Sequence, residues 1–169
     1  MLRELVSSAR HSFALPAFCA MPDHLRFLAT ANSSAADLAP FVSAFKQRTG
    51  YRYLKACRGK LWQPRYYEHI LREAEDPQGV VLYIWSNPVR AKICLLAIEY
   101  PLSGSTTMDW KDRYRCLGGW KPHGGQQKEA GLKSCTTFRS ASGHGESLLG
   151  LSLHFRPPIS VFSRRRRRT

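Results

Sequence analysis

Apolar and polar positions alternate unevenly along the chain, and the changes of period mark its elements. Leu2 to His11 has helical spacing and predicts a short amphipathic helix. Phe13 to Ala20 is an apolar, aromatic run that suits a strand, with Pro16 requiring an edge or a bulge. Met21 to Asp23 reads as a turn and Leu25 to Thr30 as a second strand, one face of which carries His24 and Arg26. Leu38, Phe41, Val42 and Phe45 recur at helical spacing within Ala35 to Thr49, and Gly50 predicts the stop. Leu61 to Leu71 reads as a further strand. Asp76-Pro77 has the form of an N-cap followed by proline in the first helical position, and Pro88 predicts the end of that helix. Tyr83 and Asn87 stand four residues apart on it, within side-chain reach.

Charge divides this pattern in two. The chain has 169 residues and a net charge of +14. Residues 1–110 hold 13 basic and 9 acidic side chains, whereas residues 111–169 hold 13 basic and 3 acidic ones. The second part is rich in Gly, Ser and Pro and ends in the run Arg164 to Arg168. A boundary near Trp110, with a basic and weakly structured tail beyond it, is the expectation. The exception is "LLGLSLHF", where Leu149, Leu151, Leu153 and Phe155 alternate like a strand. The excess of cations calls for a polyanionic partner, nucleic acid first of all.

The five cysteines, Cys19, Cys57, Cys94, Cys116 and Cys135, form no C-x-x-C pair, which argues against a zinc ribbon or a disulfide framework. Free thiols fit a reducing cytosol. No apolar run is long enough to span a bilayer. Lys46 to Tyr67 has seven basic residues and no acidic one, with Tyr51, Tyr53, Trp62, Tyr66 and Tyr67 interleaved. Phosphates take charge and bases take flat aromatics, so Lys46, Arg48, Arg52, Lys60, Trp62 and Arg65 are candidates for contacts to single-stranded DNA. The alternative is a solvated basic segment whose aromatics face the core.

Four segments in order, "CAMPDHLRFL", "FKQRTGYR", "LWQPRYYEHILREAEDPQG" and "YIWSNPVRAKI…EYP", resemble the REP-associated tyrosine transposases, single-tyrosine members of the HUH class of insertion-sequence transposases. The resemblance covers about Leu2 to Gly104. It implies an α+β fold, a ferredoxin-like antiparallel sheet packed by helices. It implies a histidine pair on a central strand, matched by His24 and position 26, a tyrosine nucleophile at Tyr83 and a polar metal ligand one turn later at Asn87. It further implies Mg²⁺ or Mn²⁺ as cofactor and single-stranded or hairpin DNA as partner. A bacterial cytoplasmic, nucleoid-associated protein, monomeric or homodimeric and without a membrane segment, completes the expectation. In such chemistry an ion held by imidazoles and an amide oxygen polarises the scissile phosphate, and the tyrosine forms a 5′-phosphotyrosine. Tyr66 and Tyr67 are rival tyrosines in the same region, with Glu68 and His69 beside them.

Four features depart from the family pattern. Arg26 stands in the place of the second histidine, and a guanidinium has no lone pair for a metal. That leaves either a weakened or lost metal site, or an arginine that contacts the phosphate directly. By the same resemblance a first strand inside the sheet is missing before the Leu2 helix, and Leu148 to Phe155 is a candidate substitute. Lys92 stands where the family has glycine, and "YPLSG" replaces "YPWSS". Two functions follow: cleavage and rejoining of single-stranded DNA through Tyr83, impaired by Arg26, or a DNA-binding relic without the chemistry.

Overall fold

Alternation in the first strand changes parity halfway, and this sets how the molecule is layered. The computed structural model describes residues 1–64, 66–70, 76–118 and 148–154. Helix α1 (Leu2–Ala9) leads into strands β1 (Phe13–Ala20) and β2 (His24–Ala31), followed by helix α2 (Leu38–Cys57) and strand β3 (Tyr67–Ile70). Helix α3 (Pro77–Arg90), a 3₁₀ turn (Ala97–Glu99), strand β4 (Ser103–Gly104), helix α4 (Trp110–Cys116) and strand β5 (Leu148–His154) complete the order. The fold is α+β, an antiparallel sheet in the order β3-β5-β2-β1-β4 with helices on both faces.

The register of β1 on β2 shifts by one between Ala14 and Ala17, around Pro16. Proline lacks the N–H that a continuous ladder needs, so the irregularity falls where the sequence demands it. Its effect is to switch faces. Phe13 and Leu15 before the shift, and Phe18 and Ala20 after it, join Leu25, Phe27, Ala29, Leu151 and Leu153 beneath α1 and α2. Ala17 and Cys19 turn to the other face, where Leu28 packs with Val80, Val81, Ile84 and Trp85 of α3.

Strand β5 takes an interior place, antiparallel to β2 along its length and to β3 on the other side. The strand expected from the alternation of the tail is therefore formed, over Leu148–His154, and it pairs with the backbone of β2. The composition shift at Trp110 does not coincide with the limit of packing. Trp110 lies 5.5 Å, ring centre to ring centre, from buried Trp85, and Tyr114 is also packed against it. Phe155, Arg65 and the Arg164 to Arg168 run lie outside the described residues.

Two helix ends differ from expectation. Helix α2 does not stop at Gly50 but continues to Cys57, ending at Arg58 with φ of 51°. Trp62 covers the glycine: its ring would lie 3.5 Å from a Cβ at position 50, and its Nε1 donates to Thr49 Oγ1 at 2.8 Å. Helix α3 begins as expected, with Asp76 accepting from Gln78 and Gly79 N–H and Pro77 behind it. It runs through Pro88 to Arg90. Pro88 has no N–H for the Ile84 carbonyl, and Asn87 Nδ2 donates to that carbonyl instead, at 3.1 Å. Beyond Arg90, Ile93 N–H bonds to the Pro88 carbonyl and Lys92 N–H to that of Val89, a Schellman closure with Lys92 at φ of 56°. This is the backbone conformation for which glycine is the usual choice.

Candidate functional site

On the α3 face a polar row crosses the sheet. Cys19 of β1 pairs with Ser103 of β4 and with Arg26 of β2, and Ser152 of β5 pairs with Arg26 and with Tyr67 of β3. Helix α3 brings Tyr83 over this row. Arg26 Nη1 donates to the Tyr83 hydroxyl, and the guanidinium carbon lies 4.9 Å from the centre of the tyrosine ring. Arg90, two turns further along α3, adds a second guanidinium at 4.7 Å from the same centre. Tyr83 is thus attended by two fixed positive charges, one of which is aimed at its oxygen.

His24 stands two residues before Arg26 on the same face. Its side chain is 14 % exposed, and its Nδ1 donates to Asp23 Oδ1 at 2.7 Å. The carboxylate fixes the tautomer and leaves Nε2 as an acceptor. That atom is buried without a hydrogen-bond partner, as are Arg26 Nε and Ser152 Oγ. Burial pushes the imidazole below its ordinary pKa, and Arg26 and His154 push it the same way, against the pull of Asp23. Cys19 is the buried member of the row, its thiol pushed up to about 11 chiefly by burial, and it is protonated at neutral pH.

The structure joins His24, Arg26 and Tyr83 on one face and treats Asn87 differently. Asn87 is buried, and its Nδ2 donates to the carbonyls of Tyr83 and Ile84, both at 3.1 Å. The side chain that the resemblance casts as a metal ligand completes its own helix. Arg26 cannot ligate, so the histidine pair that the resemblance implies is incomplete, while Asn87 commits its Nδ2 to the helix backbone. Among the described residues no group of three or more His, Cys, Asp or Glu side chains is arranged to hold an ion.

The candidate DNA contacts are dispersed. Helix α2 packs on the opposite face of the sheet from α3, so Lys46, Arg48 and Arg52 do not share the face of Tyr83. Arg52 pairs with Glu4 at 2.7 Å, and Arg48 bonds Ser8 Oγ at 3.2 Å. Lys46 donates to the Gln63 carbonyl at 2.8 Å, and burial lowers its pKa. Trp62 is half-buried against Phe45, ring centres 5.5 Å apart, and belongs to the core rather than to a stacking surface. Lys60 is exposed, as is Tyr67 at the end of the polar row.

Arg90, Asp23, Ser152 and His154 are the additions that the chain's linear reading missed. Arg90 was within reach of it, since residues seven apart on a helix share a face. An apolar cleft of about 410 Å³ opens by the first turn of α3, between Pro16, Leu28, Val81 and Met108, but none of the polar-row residues lines it.

No family model and no solved structure matches the chain. Two curated proteins do. The REP-associated tyrosine transposase of Escherichia coli (strain K12) is 27% identical over 106 residues, covering 61% of this chain and 62% of its own length. The putative REP-associated tyrosine transposase of Haemophilus influenzae is 25% identical over 104 residues, covering 55% of this chain and 59% of its own length. The chain therefore spans about three-fifths of the length of these relatives.

Proposed function

Proceeding from this likeness to the REP-associated tyrosine transposases, we propose that the chain is a transposase-like protein that binds single-stranded or hairpin DNA and cleaves and rejoins it through Tyr83. One observation carries the reading: Arg26, in the position of the family's second histidine, donates to the Tyr83 hydroxyl. In the step envisaged, Tyr83 Oη attacks phosphorus as the bond to the 3′ oxygen breaks. The phenolic proton is transferred in balance to the departing oxygen, leaving a 5′-phosphotyrosine and a free 3′-hydroxyl. A second 3′-hydroxyl reverses the step and joins the strands. Arg26 positions the phosphate and offers fixed positive charge where the transferring group gathers negative charge, while Arg90 adds to the field. No step is assigned to a metal of the family pattern.

The test uses a hairpin oligonucleotide labelled at its 3′ end, since that fragment keeps the tyrosine-linked phosphate. A denaturation-resistant protein–DNA adduct is expected, absent in Tyr83→Phe and formed about 10²–10³-fold more slowly in Arg26→Gln. An adduct that survives Tyr83→Phe overturns the assignment.

The second reading is a hairpin-binding relic. It is favoured by Arg26, which stands in the place of the second histidine and cannot ligate a metal. Hairpin binding without any adduct, in the native chain and in Arg26→His alike, would establish it.

A further inference from the structure

The polar face continues one step past Arg26, and there the register of β5 places a second histidine. His24 pairs directly with His154, so the two side chains leave neighbouring strands on one face. Their ring centres are 5.6 Å apart and their planes are tilted by 33°. Imidazoles that share one ion through bonds of about 2.1 Å place their ring centres roughly 4.5–5.5 Å apart, so a small inward turn of the rings closes the site. The free nitrogen is also prepared. Asp23 holds Nδ1–H of His24, and Nε2 is buried with no partner. A carboxylate on one ring nitrogen and an unused lone pair on the other is the arrangement in which histidine ligates metals. His154 is fixed through its backbone, whose carbonyl accepts from Gln63 N–H at 3.0 Å, and by its place in β5.

We propose that His24 and His154 form a cross-strand site for a divalent transition-metal ion, with its remaining positions left to water and to a phosphate oxygen. The histidine that the strand motif lacks at position 26 is thus supplied by the basic tail. Two imidazoles without a carboxylate favour Zn²⁺ and the later transition ions; Mn²⁺ binds such a pair more weakly, but it gives a direct signal and serves as the probe. Two protein ligands, with Arg26 adjacent, make a weak site that a bound phosphodiester would strengthen. The site shares its location with the proposed tyrosine chemistry, but strand register carries it, and its test needs no DNA.

The experiment titrates the full chain, freed of metal, with Mn²⁺ at neutral pH and follows the paramagnetic resonance signal of the free ion. About one ion per chain is expected. His154→Gln and His24→Gln each weaken binding by at least about 10-fold, and Asp23→Asn, at an exposed carboxylate, by about 10-fold. Arg26→Gln strengthens it several-fold by removing a like charge. Circular dichroism of each variant establishes that the sheet is formed. Binding that is indifferent to His154→Gln, or no binding at all, overturns the site. A chain that forms DNA adducts in chelator and takes up no Mn²⁺ overturns this inference alone. One that binds Mn²⁺ through both histidines and forms no adduct supports the metal site while the tyrosine reading fails.

Discussion

Beneath α1 and α2 the sheet presents Phe13, Leu15, Leu25, Phe27, Leu151 and Leu153 to Phe41, Val42 and Phe45, all buried and all apolar. Beneath the middle of α3 the same strands present Ser103, Cys19, Arg26 and Ser152, with His24 and His154 one step along. Four buried polar atoms there, His24 Nε2, Arg26 Nε, Ser103 Oγ and Ser152 Oγ, have no hydrogen-bond partner. Burying such groups unpaired costs roughly 1–3 kcal/mol each. The first face is built for stability. The second accepts a cost that packing does not require, and it is the face on which the proposed chemistry lies.

Substitutions should separate the two faces. Phe27→Ala removes a ring fully enclosed under α2 and should cost about 3–5 kcal/mol in denaturant unfolding. Asn87→Ala tests whether this side chain serves α3. It leaves the Ile84 carbonyl without the donor that replaces the Pro88 N–H, and a loss of about 1–3 kcal/mol is expected. If Asn87 were held chiefly for a metal, the loss would be near zero in chelator. Lys92→Gly relieves a left-handed backbone angle and should stabilise the chain by about 1 kcal/mol, raising the unfolding midpoint. Arg26→Met should change stability least, within about 1 kcal/mol in either direction, because a partly buried charge is exchanged for an apolar side chain of similar length. Its effect should fall on adduct formation. A large destabilisation by Arg26→Met would make the polar row structural and erase the contrast.

Much of the apolar face was legible in the sequence. Alternation in Phe13 to Ala20 and Leu25 to Thr30 is a local property, and Pro16 marked the irregularity between them. Asp76-Pro77 announced the start of α3 because capping needs only neighbouring residues. The helix ends were less legible because side chains from elsewhere decided them. Trp62 shields Gly50, and Asn87 substitutes for the missing donor of Pro88. Alternation in the tail announced a strand but not its neighbours, since register arises from pairing across more than a hundred residues.

The site divides along the same line. His24, Arg26 and Tyr83 could be chosen from the family resemblance; Arg26 and Tyr83 do meet, and His24 shares the face of Arg26 on β2. The basic stretch could not be placed, because charge along a chain does not say which face of a sheet a helix will cover. Lys46, Arg48 and Arg52 lie on the face away from Tyr83. His154, more than a hundred residues from His24, became visible only once β5 was in register.

The most direct test of the functional face is to isolate the covalent adduct with 3′-labelled hairpin DNA, digest both components and locate the modified residue by mass spectrometry. The account predicts a nucleotide phosphate on Tyr83 within the Pro77–Arg90 helix. A phosphate on Tyr66 or Tyr67, with Tyr83 unmodified, would contradict it.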